Sequence, residues 1–288
     1  MMILNFSALF IFGLIFGSFL NVVILRYKPD RSFFLITPIS GRSHCMSCGK
    51  TLAWYELVPL FSFMIQLGKC RSCGNRLSRQ YPIVELATGF IFLTPLYFFS
   101  PIIPDSLFII QSVIWTSIFL VFLVLAAIDY HWFIIPDELN VLIAVLGSVR
   151  IALDDFYGEF GYFTGAFVGN FSALFGLREN IWLNHLAGAA IGMAIIGLII
   201  WGTKGRGMGW GDFKLAGALG ILFGWPDIIF VVAFAFMIGA IYSLYVLASG
   251  EKGMKDSVPF GPFLVLGSLT LIFFGNDILR SYFGFFGF

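Results

Sequence analysis

The 288-residue chain is 59% hydrophobic and 11% charged, with a net charge of +1 and a mean hydropathy of +0.93. Soluble domains run near 45–50% apolar and about 25% charged, so this composition excludes an ordinary water-soluble enzyme and a disordered chain. The near-zero net charge leaves no basic field for nucleic acid.

A helix needs roughly 20 apolar residues to cross the hydrocarbon layer of a bilayer. Eight apolar runs are read as spans, over about 3–25, 81–100, 105–128, 138–153, 183–202, 212–225, 226–249 and 258–275. The fourth and sixth are short. The first is no cleavable signal peptide: it lacks a basic start, and its apolar stretch exceeds a signal core. Continuous rather than alternating hydrophobicity excludes a β-barrel. The expected fold is therefore an all-α polytopic membrane protein of about eight transmembrane helices. The division predicted is residues 1–25 as a first span, 26–80 as a polar insert, and 81–288 as a membrane bundle. A link at 154–182 has mixed character, and its apolar stretch near 163–176 reads as interfacial or re-entrant. Placing the insert in the cytoplasm puts fourteen of the seventeen Lys and Arg on that side, as basic-residue asymmetry requires. Only Arg150, Arg178 and Arg280 fall opposite.

The insert carries Cys45-Met-Ser-Cys48-Gly and Cys70-Arg-Ser-Cys73-Gly. Two such turns suit a tetrahedral zinc ion, because each pair supplies two thiolates and the glycine permits the tight turn behind them. Reducing cytoplasm disfavours disulfides between them. Four thiolates leave no open coordination position, so the zinc is expected to be structural, with His44 a bystander. Between the pairs, Trp54-Tyr55-Glu56-Leu57-Val58-Pro59 leads into an apolar run too short to span. From chemistry alone, Glu56 reads first as a helix N-terminal charge and second as a site carboxylate.

Two acids stand at membrane depth, where ionisable groups are costly and mark function. Asp129 closes the third span, and Asp212 opens the sixth after Gly209-Trp210-Gly211. The threading places both at cytoplasmic helix ends. Two neighbouring carboxylates share one proton more readily than both ionise. The ionised member then takes a proton from water while the protonated member polarises a peptide carbonyl. The duller readings are an N-cap for Asp212 and an interfacial polar residue for Asp129. Asp137, after Pro136, competes as a partner, although its place suits the start of the fourth helix. Gly13-x3-Gly17 and Gly188-x3-Gly192 read as helix-packing contacts, and Pro259-Phe-Gly-Pro262 as a helix start or, alternatively, as a shaper of a substrate groove near the last span.

Taken together, Phe16-Gly-Ser-Phe-Leu-Asn, the two C-x-x-C pairs, Trp54-Tyr-Glu-Leu-Val-Pro, Gly68-Lys-Cys, Tyr81-Pro-Ile-Val-Glu, Ile128-Asp to Pro136-Asp, Gly207-Met-Gly-Trp-Gly-Asp and Pro259-Phe-Gly-Pro-Phe resemble the bacterial type IV prepilin peptidases of the GxGD aspartic protease group. The resemblance runs from residue 16 to 263. It implies a bifunctional enzyme of the bacterial inner membrane. Such an enzyme cuts the basic leader of prepilins and pseudopilins, for pilus assembly or type II secretion. It then methylates the new N-terminus with S-adenosylmethionine. It assigns catalysis to Asp129 and Asp212, and it links Glu56, Gly68 and Lys69 to methylation. Three rivals remain. A presenilin-type protease would carry a Pro-Ala-Leu motif, which is missing. An ion transporter using the two aspartates leaves the cysteine insert unexplained. A non-catalytic zinc scaffold would tolerate loss of both aspartates.

Overall fold

The structure is a computed structural model that describes residues 2–29, 33, 41–99, 105–157, 180–250, 253 and 256–285. The described residues are mainly helical, and their only β pairing is two isolated bridges in the insert. The helices are α1 (Met2–Arg26), α2 (Phe61–Ile65), α3 (Gln80–Ile91), α4 (Thr94–Phe99), α5 (Asp105–Trp132), α6 (Asp137–Tyr157), α7 (Ile181–Gly202), α8 (Trp210–Phe223), α9 (Asp227–Ala248) and α10 (Gly261–Phe285).

Five helices are long and apolar enough to cross a membrane: Phe6–Arg26, Phe108–Trp132, Ile181–Gly202, Asp227–Ala248 and Gly261–Tyr282. They match five of the eight predicted spans. The other three ranges are helical but do not meet that measure. The second is split into α3 and α4 around Phe92 and Leu93. The fourth, α6, carries Asp137, Glu138, Arg150, Asp154 and Asp155. The sixth, α8, has 14 residues, a length of about 21 Å at 1.5 Å per residue. The apolar stretch 163–176 lies outside the described residues, as do Arg31, Arg178, Lys252 and Lys255 from the charge count.

The chain divides into two compact units, Met1–Val124 and Leu125–Phe288, with the division inside α5. In the first unit α1 packs along α3. Gly13 and Gly17 make this close approach possible, since a Cβ on either would stand 2.8 Å from the Cα of Gly89 or of Glu85. Phe10 and Phe90 then meet edge to face at 5.4 Å. In the second unit α8 lies against α6, α7 and α9. The α7 contact runs through Gly188 and Gly192, where a Cβ would come within 2.6 Å of the α8 backbone or its end at Gly224. Both small-residue pairs picked out in the sequence are therefore helix seams. Because α8 is walled in, Leu215, Ala216, Leu219 and Leu222 have no solvent exposure. That burial fixes the position of its first turn, which carries Asp212.

Candidate active site and cysteine insert

Asp129 lies in the last turn of α5, and only 4% of it is exposed. Its helix ends at Phe133, whose φ of 54° is unusual for a side-chain-bearing residue. The chain turns there, and Ile134 and Ile135 join Asp129 and Phe133 in lining a cavity of about 780 Å³. Asp212 lines the same cavity and is 9% exposed. Asp129 lies within electrostatic reach of Asp212. The 83-residue gap between the two acids is thus closed by the fold of the second unit.

Each carboxylate is held by a backbone amide. Gly209 N–H donates to Asp212 Oδ2 at 3.1 Å, and Asp212 sits at the third helical position. The duller reading of Asp212 as the N-cap is corrected: Gly209 is the N-cap, and Asp212 reaches back to its amide with one oxygen while lining the cavity. Gly261 N–H donates to Asp129 Oδ2 at 2.9 Å. A Cβ at position 261 would stand 2.6 Å from that oxygen, so only glycine brings this amide so close. Sequence reasoning missed Gly261 as a site residue. Its signal was the Pro-Phe-Gly-Pro run, read first as a helix start and second as part of a substrate groove; Val258, Pro259, Phe260 and Phe263 do line the cavity. Gly211 serves a packing need, since a Cβ there would lie 3.2 Å from Ile135 Cβ.

Asp137 starts α6 and stands on the cavity wall, but Lys214 Nζ holds its two oxygens at 2.9 and 2.6 Å. The competing acid is already paired with a cation, and Asp129 is the acid left opposite Asp212.

The four cysteine sulfurs lie within 4.8 Å of one another, and none is in a disulfide. Two hairpins with matching hydrogen bonds position them. Cys45 N–H donates to Lys50 O, and Cys70 N–H to Asn75 O; Gly49 N–H donates to Cys45 O, and Gly74 N–H to Cys70 O. Both glycines have φ of 71°, which is the left-handed turn anticipated from C-x-x-C-G. The bridges His44–Thr51 and Lys69–Arg76 close the hairpins. Backbone N–H groups of Cys48 and Ser47 bring the Cys45 thiol down to about 6, and those of Cys73 and Ser72 lower Cys70. Cys73 moves up to about 11, because desolvation and the three neighbouring sulfurs outweigh the Asn75 amide that favours its thiolate. Tetrahedral zinc at about 2.3 Å from each sulfur sets sulfurs about 3.8 Å apart, and Cys45 Sγ lies 3.9 Å from Cys73 Sγ. The donor set therefore fits zinc, which Cys45, Cys48, Cys70 and Cys73 would hold with no position left for a reactant. His44 is outside this group.

Glu56 ends a 3₁₀ turn (Trp54–Glu56), is 7% exposed, and accepts the Ala53 N–H at 2.9 Å through Oε2. It caps its turn, as its chemistry suggested, and it also lines a cavity of about 330 Å³ between α1, the insert and α3. Gly68 and Lys69 do not line that cavity. Gly68, at φ 65°, presses its Cα side against the ring of Phe63, a wall residue. Exposed Lys69 pairs through its backbone with Arg76, another wall residue.

A helical membrane protein with two buried carboxylates on one cavity and a four-cysteine insert is the class defined by these features. Residues 11–99 match the bacterial peptidase A24 N-terminal domain, and residues 116–244 match the type IV leader peptidase family. A prepilin leader peptidase/N-methyltransferase of Bacillus subtilis is 31% identical over 277 residues, covering 96% of this chain and 97% of that protein. Proteins of the same name from Xanthomonas campestris and Pseudomonas aeruginosa are 30% and 28% identical, covering 99% and 96% of this chain and 96% and 92% of their own lengths. No solved structure matches the chain. The chain belongs to the type IV leader peptidase family and is an enzyme of that family.

Proposed function

We propose that this enzyme cleaves the leader peptide of type IV prepilins and pseudopilins at the cytoplasmic face of the bacterial inner membrane, and then methylates the exposed N-terminus. The observation that carries the reading is the meeting of Asp129 and Asp212 on one cavity, each steadied by a glycine N–H. The names of the relatives support both activities.

In the hydrolytic step, one carboxylate takes a proton from water as its oxygen attacks the scissile carbonyl carbon. The other, protonated, donates to the carbonyl oxygen. Collapse of the tetrahedral species breaks the C–N bond, and the leaving amine takes up a proton. The cavity's apolar wall (Ile134, Ile135, Phe236, Phe260, Phe263) suits the hydrophobic helix of a pilin, and its leader would remain on the basic cytoplasmic side. The four cysteines of the insert would hold a structural zinc ion. S-adenosylmethionine, when bound, supplies an electrophilic methyl group, and Glu56 orients the amine or accepts its proton.

The test is incubation of purified enzyme with a prepilin, with and without S-adenosylmethionine, followed by intact-mass analysis. Asp129→Asn or Asp212→Asn should cut cleavage by about 10²–10⁴-fold in a folded protein, and Glu56→Ala should cleave but not methylate. Full cleavage by Asp212→Asn would refute the aspartate assignment. Ion flux in liposomes without prepilin cleavage would favour the transporter.

A further inference from the structure

The first unit contains a second carboxylate that neither the aspartate chemistry nor the residues linked to methylation account for. Glu85, in α3, is 5% exposed and lines the 330 Å³ cavity together with Glu56. Its position is built by three elements. Leu60 N–H donates to Glu85 Oε2 at 2.8 Å, from a residue at φ 60° and ψ −52°. Such a conformation is strained for leucine and persists where surrounding structure demands it. The Ser18 side chain, on α1, makes a further hydrogen bond to Glu85. Gly17 lets α1 approach so closely that a Cβ there would lie 2.8 Å from Glu85 Cα. The Phe-Gly-Ser and Tyr-Pro-Ile-Val-Glu stretches of the sequence therefore converge on one carboxylate.

The cavity's other polar walls make a particular ligand chemistry fit. Two acids, Glu56 and Glu85, share it with two guanidinium-bearing residues, Arg26 and Arg76, and with Tyr81. A ligand bearing separate cationic and anionic groups beside an apolar, ring-bearing body satisfies that mixture. The acids suit the cationic group of such a ligand, and the guanidinium-bearing side chains suit its anionic group. The volume lies at the lower end of small-molecule pockets, about 300–1,000 Å³. Every lining residue falls within 18–85, inside the matched N-terminal domain.

Resting on the methyltransferase reading above, we infer that this cavity is the binding site of the zwitterionic sulfonium methyl donor, and that Glu85 is a donor-binding residue in it. The transfer forms an N–C bond from the lone pair of the deprotonated pilin amine and breaks the donor's S–CH₃ bond, whose electron pair stays on sulfur. The amine's proton passes to a carboxylate or to water. Glu85 opposes the donor's positive charge within the cavity, whereas Glu56 serves the amine.

The test is titration calorimetry of S-adenosylmethionine into the purified, zinc-loaded full-length protein, with Glu85→Gln beside the natural enzyme. Glutamine keeps an oxygen for the Leu60 amide and removes only the charge. Donor binding should weaken about ten- to a hundredfold, with zinc content and prepilin cleavage retained as checks on folding. Ser62→Trp, which fills the cavity from α2, should weaken donor binding comparably without altering charge. Unchanged donor affinity in Glu85→Gln, with or without methylation, would overturn the inference. If instead the natural enzyme neither binds the donor nor methylates, the methyltransferase reading itself fails, and that result is read independently of Glu85.

Discussion

At the residue scale, the two aspartates are placed by the amides they accept. Gly261 is the sharper case, because its hydrogen replaces a side chain that would collide with Asp129 Oδ2. Gly261→Ala should displace that carboxylate or the start of α10, and a misplacement of about 1 Å costs near 10²-fold in rate. The expected loss lies in kcat rather than KM, measured on a purified prepilin, with helical content unchanged by circular dichroism. Unaltered kcat would mean the amide does not position Asp129. The aspartates themselves were legible in the sequence, since acids at membrane depth stand out against an apolar background. The partner of Gly261 was not, because Pro-Phe-Gly-Pro marks a helix start or a groove but a hydrogen bond spanning 132 residues leaves no trace in it. Glu85 was hidden for a similar reason: it stood in plain view within Tyr81-Pro-Ile-Val-Glu, but its partners come from residues 18 and 60.

At the element scale, α8 is held at both ends. Its first turn faces the aspartate cavity, and its last turn meets a buried polar cluster. Arg150, 3% exposed, donates to Asp154 Oδ2 at 3.3 Å and to Leu222 O at 3.1 Å. Asp227, fully buried, lies within its electrostatic reach. Asn184 brackets Trp225, accepting its N–H at 2.9 Å and donating to its carbonyl at 2.8 Å. The cluster ties α6, α7, α8 and α9 together. Removing one member of a buried ion pair costs about 3–5 kcal/mol, because the other is left charged and unmatched. Arg150→Met should therefore lower the thermal midpoint in detergent clearly, while the aspartates remain intact. An unchanged midpoint would show that the cluster adds no stability. The sequence reading took Arg150 only as a topology marker, since its partners lie on other helices. The glycine pairs, by contrast, announced their seams through four-residue spacing on single helices. The short, polar or interrupted helices α3, α6 and α8 blurred the span count for a related reason: other helices bury their polar groups, and hydropathy along the chain does not register that.

At the scale of the whole molecule, the two proposed chemistries draw on separate stretches of the chain. The residues of the aspartate cavity fall within 129–263, and those of the insert's cavity within 18–85. Metal is expected to be part of the first unit's fold rather than of the peptidase reaction. A thiol whose folded pKa is depressed adds stability in its ionised form. For Cys45 that contribution is complete above its ordinary value of 9.0 and is lost as pH falls through about 6. Zinc uptake by chelator-stripped protein should thus be strong at pH 8 and weaken below pH 6, as protons compete for the sulfurs. Metal analysis after equilibrium dialysis would show this, and zinc content independent of pH across that range would argue against thiolate ligation. The tight turns at the cysteines were readable from their local spacing, whereas the bridges that close them into hairpins were not.

The paired hairpins also impose an order on the birth of the protein. Each contributes two sulfurs, so neither alone completes a four-sulfur shell, and the second arrives 25 residues behind the first. While the ribosome is still adding the segment between them, the early dithiol waits half-coordinated. Closure comes only once Cys73 has emerged, after the whole of α1 has been synthesised.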